Sequence, residues 1–480
     1  MSGLRWATLS RAIMQLITWS ATFLVVRLLS PADYGLVTMA TVLSSYLVLL
    51  GEFGFGTVLV QKRTTDDATL RFVLGALIIT GSLLFVVAAF SGPLVARYFK
   101  EPALTALCAL SAAQFLIMPF LVIPTASLAI QLRFRAMGIA GVASAAAGAA
   151  CTLAMAYAGF GAYSLVAGIL VTSAARAIAV NVMAPFLKRP RFSYEAIRDL
   201  IGFSGIVLTQ RSIWYWYAEA DGIIVGTALG AKSLGIFAMA KQLAAIPQER
   251  FAEIMNTVAL PVFAAVQDDR QRVKDGFIKA MRIGATVAIP VFAGLALVAE
   301  DLLHLVIGRK WDAAIPVLQL LCVSMPLRSV ASIVSPTVTA IGKPGVSLKF
   351  VIWVATCVPV LMLVGVHWGL IGVAMAWAVG YPIAFVGGLM GVAKALNASL
   401  RELLLPFVRP TLCAALMCGV VLLIASMLLQ NVPSIARLGV NVLVGAASYT
   451  LALRLLAYSS FTEIVAFGSA FFSGKSTRSG

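Results

Sequence analysis

Charged residues, and acidic residues most of all, are scarce in this chain. Only 11% of its 480 residues are charged, with 19 Asp and Glu against 36 Lys and Arg, and only two are histidines. About a quarter of the residues of an ordinary soluble domain are charged, so this composition excludes one. With 61% hydrophobic residues and a mean hydropathy of +0.98, the chain is expected to be a polytopic membrane protein.

Long polar loops and catalytic motifs are also missing. No segment between the apolar runs is long enough to hold a soluble catalytic domain. His304 and His367 are isolated, and all six cysteines fall within apolar runs, so neither a metal site nor disulfides are expected. The sequence has no phosphate-binding glycine loop, zinc motif or serine-nucleophile motif. These absences are compatible with a transporter that is not an enzyme and needs no cofactor.

Apolar runs are abundant instead. About 14 runs are each about 18–25 residues long, enough to cross a hydrocarbon core of roughly 30 Å, which predicts an all-α polytopic membrane protein with about 14 transmembrane helices. The basic residues gather in alternate loops, with Lys188, Arg189 and Arg191 on one side and few cations, such as Arg97, on the other. By the positive-inside rule both termini are expected in the cytoplasm. No basic face stands apart from the membrane flanks, so nucleic-acid binding is not expected.

Four short segments recur at offsets of about 200 residues, which indicates a duplicated unit. The echoed pairs are Gly35 with Gly235, Asp66-Asp67 with Asp268-Asp269, Pro124-Thr125 with Pro336-Thr337, and Gly161 with Gly369. The repeat predicts two six-helix lobes at 1–187 and 201–396, joined by a basic cytoplasmic linker at 188–200. Two additional transmembrane helices (397–472) and a disordered cytoplasmic tail (473–480) are expected to follow. Parallel repeats of this kind suit alternating access.

The apolar stretch 201–253 carries several ionisable side chains. It is predicted to form two helices, 203–228 and 234–259, around a short loop at 229–233. An ionisable side chain inside a membrane span is costly unless it faces a partner, a cavity or a substrate path. Across the chain, such charges are Arg11, Arg176, Arg211, Glu219, Asp221, Lys241, Arg250, Glu253 and Arg328.

Four segments carry a resemblance to a known family. These are the opening residues 3–6, the turn 27–35, the segment 221–235, and Trp311-Asp312 after Gly308. Together they resemble the polysaccharide-transporter branch of the MOP superfamily, the O-antigen and exopolysaccharide flippases, from the N-terminus to about Asn397. An acidic residue at the position of Asp221 is common in that family.

The resemblance implies a V-shaped, two-lobed transporter in the bacterial inner membrane. Its substrate would be a polyprenyl-diphosphate-linked oligosaccharide, moved from the cytoplasmic to the outer leaflet for lipopolysaccharide or exopolysaccharide biosynthesis. Besides membrane lipids, a polysaccharide polymerase and glycosyltransferases are candidate partners. Two complete halves make a monomer sufficient.

A diphosphate brings about two negative charges into the membrane, and cationic side chains in a hydrated cavity would offset that cost. The candidate substrate-binding residues are Arg211, Lys241, Arg328, Arg11 and Arg250, with Trp214 and Trp216 as a sugar-stacking platform. Several of these residues have an alternative role. Arg211 could pair with Glu219 and Arg250 with Glu253, and the tryptophans could form an interfacial aromatic belt.

Glu219 and Asp221 are the two candidate acids. Two residues rotate a side chain by about 200° on a helix, so the pair cannot face the same way. One of them could couple transport to a proton or sodium gradient, or could be the charge partner of a cavity arginine.

Two other functions compete with a flippase. A multidrug exporter of the same superfamily would favour an acidic cavity, whereas the intramembrane cations here at least match the acids. A membrane polysaccharide polymerase or ligase usually places its chemistry in a large external loop, and the external segments here are short.

Overall fold

The computed structural model describes residues 2–52, 59, 66–186, 188–190, 194–265, 269–428, 432–458 and 461–463. Within these ranges the described side chains exclude those of 2–5, 7, 8, 52, 194–211, 213, 214, 254, 256–262, 264, 265 and 428. The predicted tail 473–480 therefore lies outside the described residues, and so do the side chains of 191–200 in the predicted linker.

All regular elements in the described part of the chain are helical, as the apolar runs predict, and they form two compact units. In the unit Met1–Ala238 the helices are α1 (Ser2–Leu28), α2 (Pro31–Glu52), α3 (Asp67–Phe99), α4 (Leu104–Ala112), α5 (Gln114–Ile117), α6 (Pro119–Ile130), α7 (Phe134–Tyr157), α8 (Ala162–Met183) and the first part of α9 (Tyr194–Ala265). In the unit Met239–Gly480 the rest of α9 is followed by α10 (Arg270–Leu297), α11 (Ala299–Val306), a 3-10 turn (Arg309–Trp311), α12 (Ala314–Ala331), α13 (Val334–Ala340), α14 (Pro344–Gly365), a 3-10 turn (Val366–Trp368), α15 (Gly369–Met375), a π-helical turn (Ala376–Gly380), α16 (Tyr381–Leu396), α17 (Leu400–Leu428) and α18 (Ser434–Leu456).

Eleven helical runs in the described ranges are long and apolar enough to cross a membrane, or up to twelve if the bent pair Leu104–Ile117 and Pro119–Ile130 forms one span. The predicted number of about 14 is therefore not confirmed. Two of these runs, Tyr215–Glu253 with 39 residues and Pro344–Leu396 with 53, exceed the roughly 20 residues that one crossing needs. Both contain a reversal of the chain, so length alone undercounts the crossings.

The first reversal lies within α9. The helix breaks at Gly230, which has φ 78° and ψ 179°. Eight residues of straight helix span about 12 Å, yet a methyl group on Gly226 would lie only 3.2 Å from the side chain of Leu234. The chain therefore folds back here, and the predicted loop 229–233 is in fact a break at one residue. The helix also begins at Tyr194, inside the predicted linker 188–200.

The second reversal joins α14 to α16. Trp353 of α14 donates its indole N–H to the carbonyl of Ala384 at 3.0 Å. A methyl group on Gly388 would meet Phe350, and one on Gly380 would meet Leu361, so the later residue of one helix faces the earlier residue of the other. This order is antiparallel, and the 53-residue run is a helical hairpin.

A reciprocal contact joins α2 to α9. A methyl group on Gly35 would overlap the carbonyl of Ala231, and one on Gly235 would overlap the carbonyl of Pro31. Pro31 lies four residues before Gly35, and Ala231 lies four residues before Gly235. Each segment therefore makes the same contact with the other, as surfaces related by a two-fold axis do. The two copies of this echoed segment, around Gly35 and Gly235, are therefore in contact with each other.

Two other echoed pairs share local geometry. Asp66, the first aspartate of its pair, caps α3 by accepting the N–H of Thr69 at 3.0 Å, a bond that lowers the pKa of this carboxyl. Asp269, the second aspartate of the matching pair, caps α10 by accepting the N–H groups of Gln271 and Arg272. Gly161 (φ 53°, ψ −130°) and Gly369 (φ 70°, ψ −155°) both adopt a backbone conformation that is essentially limited to glycine. This similarity supports a duplicated unit, while the lobe boundaries 1–187 and 201–396 stay predictions.

Candidate functional site

Arg328 has the most informative surroundings of the predicted site residues. It lies in the last turn of α12, near the middle of the apolar run Ala314–Ala340, and is half-buried. Its guanidinium carbon lies 4.6 Å from the ring centroid of Trp377, within the range of a cation–π interaction. Nη1 also lies 4.0 Å from the sulfur of Met325. The charge is therefore held over one face of a tryptophan in an apolar part of the chain.

Trp377 is fixed by aromatic neighbours. It belongs to the π-helical turn Ala376–Gly380, a type of irregularity found frequently at functional sites. Its ring centroid lies 5.9 Å from that of Tyr381, which is 6.4 Å from that of Phe385. Phe385 in turn makes an edge contact with Phe407 at 5.9 Å. This column of rings holds the indole in place, so the position of the Arg328 guanidinium is also restricted.

The described part of the structure offers Arg328 no carboxylate partner. The ion pairs of the same unit use other cations: Arg250, Arg272, Lys274, Arg282, His304 and Arg437. A guanidinium has five N–H donors, and stacking on an indole uses none of them. Arg328 can therefore donate to the oxygens of an anionic ligand, and an apolar environment strengthens such a contact.

A second group of aromatic side chains lies in the other unit. Tyr46 of α2 contacts Tyr215 and Trp216 of α9, with ring centroids 5.4 Å and 5.1 Å apart. The Tyr215 hydroxyl donates to the carbonyl of Val42, and the Tyr46 hydroxyl lies 3.4 Å from the Ser212 hydroxyl. Trp216 remains exposed. The group presents an exposed indole, which suits either stacking on a sugar ring or contact with the membrane interface.

The two predicted acids differ in exposure. Asp221 is 2% exposed, and its Oδ1 accepts the backbone N–H of Gly222 at 2.8 Å. Glu219 is half-buried, and a methyl group on Gly222 would lie 3.7 Å from its Oε2 and 3.6 Å from Val42 of α2. The acids thus have different surroundings, and the roles assigned to them stay predictions.

The other predicted site residues have surroundings of their own. Nη1 of Arg250 lies 3.0 Å from Glu253 in an exposed pair, the local ion pair that their spacing indicates. Lys241 is half-buried in α9, and Arg11 is exposed on α1. The side chains of Arg211 and Trp214 lie outside the described residues.

The sequence did not reveal the aromatic residues that contact two of the predicted site residues. It did not pair Arg328 with Trp377 or Trp216 with Tyr46, because both contacts join helices far apart in the chain. The proline before Arg328 predicts an irregular helix but gives no partner. In the residues that the structure describes, no group of three or more His, Cys, Asp or Glu side chains could hold a metal ion.

A family model described as polysaccharide biosynthesis protein matches residues 24–316 of this chain. The chain belongs to this family. Among the relatives of this chain is the lipopolysaccharide biosynthesis protein WzxC of Escherichia coli (strain K12), 25% identical over 431 residues and covering 88% of each chain. The succinoglycan biosynthesis transport protein ExoT of Rhizobium meliloti (strain 1021) is 24% identical over 460 residues, which cover 94% of this chain and 92% of ExoT.

A solved structure resembles the whole fold. The lipid II flippase MurJ, in an inward closed conformation, superposes with a TM-score of 0.76 and 13% sequence identity, covering 94% of this chain and 99% of MurJ. At this identity the likeness concerns the fold alone. The chain is therefore a multi-pass helical membrane protein with a fold like that of MurJ, and its family membership confirms the resemblance found in its turn residues.

Proposed function

We propose that this protein is a flippase that moves a polyprenyl-diphosphate-linked oligosaccharide from the cytoplasmic to the outer leaflet of the bacterial inner membrane. Its family membership and the description of its relative ExoT as a transport protein support this proposal. The observation that carries it is Arg328, a cation in an apolar helix that has an aromatic support and no carboxylate partner in the described part of the chain. Such a site suits an anionic group attached to a lipid.

The proposed role of Arg328 follows from the cost of moving a diphosphate. An ionised group transferred from water into hydrocarbon loses hydration free energy that only paired charges can replace. A guanidinium suits the purpose because its planar edge can bind two phosphate oxygens at once, while its charge does not depend on pH. The contact with the Trp377 ring uses none of the guanidinium N–H donors, so they can bind phosphate.

The alternating basic loops support cytoplasmic termini, and the product would serve lipopolysaccharide or exopolysaccharide biosynthesis, alongside a polymerase and glycosyltransferases. Asp221 or Glu219 could couple the movement to a proton or sodium gradient. The chain would act as a monomer without catalysing a covalent reaction.

Replacing Arg328 with alanine should slow flipping about tenfold to hundredfold, since hydrogen bonds to a charged group contribute about 1.5–3 kcal/mol each. Arg328→Lys should retain part of the rate, because it keeps the charge but loses the planar stack on Trp377. The measurement is the rate at which a fluorescent polyprenyl-diphosphate oligosaccharide crosses proteoliposome membranes.

The matched control is Arg454→Ala, which removes an exposed arginine from the last turn of α18. Its rate should equal that of the intact protein. If Arg328→Ala flips the lipid as fast as the control does, the proposed site is wrong. If the intact protein moves no lipid under any ion gradient, the flippase proposal itself fails.

A further inference from the structure

A groove of 320 Å³ lies on the unit Met239–Gly480, and Arg328 is not among the residues that line it. It is lined by α10, which contributes Arg282, and by the first turns of α17, which contribute Glu402 and Arg409. The proposed function uses neither arginine. Both helices begin near this groove with basic residues, such as Arg270 and Arg401, so it lies at a polar end of the bundle.

The acids near the groove are already paired. Oε2 of Glu402 lies 2.8 Å from Nζ of Lys274, and Oε1 of Glu463 lies 3.2 Å from Nη1 of Arg282. Arg409 is exposed and forms no ion pair with the residues that the structure describes. Three cations thus face two carboxylates, which leaves a net positive charge that sits mainly on Arg409.

The helix segment that lines the groove contains two carbonyls without their usual helical hydrogen bond. Pro406 and Pro410 lie within α17 and have no N–H, so the carbonyls of Glu402 and Pro406 receive no bond from the residue four positions later. All these residues line the groove. A ligand that carries hydroxyl groups beside its anionic group could donate to these carbonyls.

An apolar surface adjoins the charges. Leu405 and Val408 line the groove and are exposed, although they are large hydrophobic residues. Exposed apolar side chains of this kind suit contact with acyl chains. The groove therefore combines cations, carbonyl acceptors and an apolar flank, the combination that a phospholipid matches with its phosphate, its headgroup hydroxyls and its chains.

We propose that this groove binds an anionic phospholipid, with the phosphate between Arg409 and Arg282, the headgroup hydroxyls at the carbonyls of Glu402 and Pro406, and an acyl chain along Leu405 and Val408. Basic pockets between transmembrane helices bind anionic headgroups in this way. The site is separate from the proposed substrate site at Arg328 and does not depend on it.

The test is native mass spectrometry of the full-length protein, titrated in nanodiscs with phosphatidylglycerol or with zwitterionic phosphatidylcholine. The intact protein should bind phosphatidylglycerol more tightly than phosphatidylcholine. Arg409→Ala should weaken phosphatidylglycerol binding about tenfold, because it removes a single charge-assisted contact. Arg409→Lys should weaken it less. The matched control is Arg401→Ala, which removes an exposed cation from the same helix end without changing the lining of the groove.

Three results would overturn the proposal. One is equal retention of the two lipids by the intact protein. Another is unchanged phosphatidylglycerol binding in Arg409→Ala, with circular dichroism verifying that the variant is folded. The third is an equal loss in Arg401→Ala, which would assign the binding to diffuse surface charge. Arg409→Gln, which keeps a polar but uncharged side chain, gives the same comparison if the alanine variant does not fold.

Discussion

Replacing Gly35 with alanine should destabilise the protein by about 1–3 kcal/mol or more, the usual cost of overpacking. The added methyl group would overlap the carbonyl of Ala231, a backbone atom that cannot rotate away, so α2 and α9 would have to separate. Gly235→Ala should have a similar effect, because its methyl group would overlap the carbonyl of Pro31 and lie 2.9 Å from the backbone nitrogen of Gly35. Unfolding in mixed detergent micelles measures both losses.

Gly419→Ala is the matched control for this crossing. It also replaces a glycine inside an apolar helix, but nothing lies within 4 Å of the added methyl group. This variant should be as stable as the parent or slightly more stable, since alanine favours the helix. The double variant Gly35→Ala with Gly235→Ala should lose less than the sum of the two single losses, because one separation relieves both overlaps. Equal stability of Gly35→Ala and Gly419→Ala would contradict the close crossing.

For Gly35 and Gly235, the sequence predicts the repeat but not the contact between its two copies. Their register, with Leu29 matching Leu229 and Gly35 matching Gly235, reveals a repeat because local patterns survive duplication. It does not reveal that the two copies touch. That contact joins segments about 200 residues apart and depends on how close two backbones approach, a property that no local pattern encodes.

For charged residues too, contacts between near neighbours in the sequence were predictable, whereas contacts between distant helices were not. The ion pair of Arg250 and Glu253 follows from their spacing on one helix, and the structure contains it. The stacking of Arg328 on Trp377 depends on a π-helical turn in another helix, so the sequence indicated a buried cation without its support. The membrane fold was predictable because hydrophobicity alone largely determines it.

The ion pair of Asp301 and Arg437 was also missed, although it joins α11 to α18. Nε of Arg437 donates to both carboxylate oxygens of Asp301 at 2.8 Å, and Nη2 donates to Oδ1 as well. Asp301 is only 5% exposed. In the sequence each residue occupies an ordinary position near a helix end, and nothing links the two. The pair holds one of the last two helices of the bundle to the short helix α11.

Arg437→Ala should therefore destabilise the protein by about 3–5 kcal/mol, because it leaves the buried carboxylate of Asp301 without a partner. Removing both charges, in Asp301→Asn with Arg437→Ala, should cost less than Arg437→Ala alone, since no isolated charge remains buried. Micelle unfolding measures these differences, and a double-mutant cycle isolates the coupling.

The control for this cycle is an ion pair of the same type in an exposed setting. Nε of Arg272 lies 3.2 Å from Asp269, with side chains 75% and 51% exposed. Water and salt screen such a pair, so Arg272→Ala should cost no more than about 1 kcal/mol. A loss in Arg437→Ala as small as that in Arg272→Ala would mean that water reaches Asp301 and that α18 is held to α11 by apolar contacts alone. The larger loss would instead identify one arginine as the main link between these two helices.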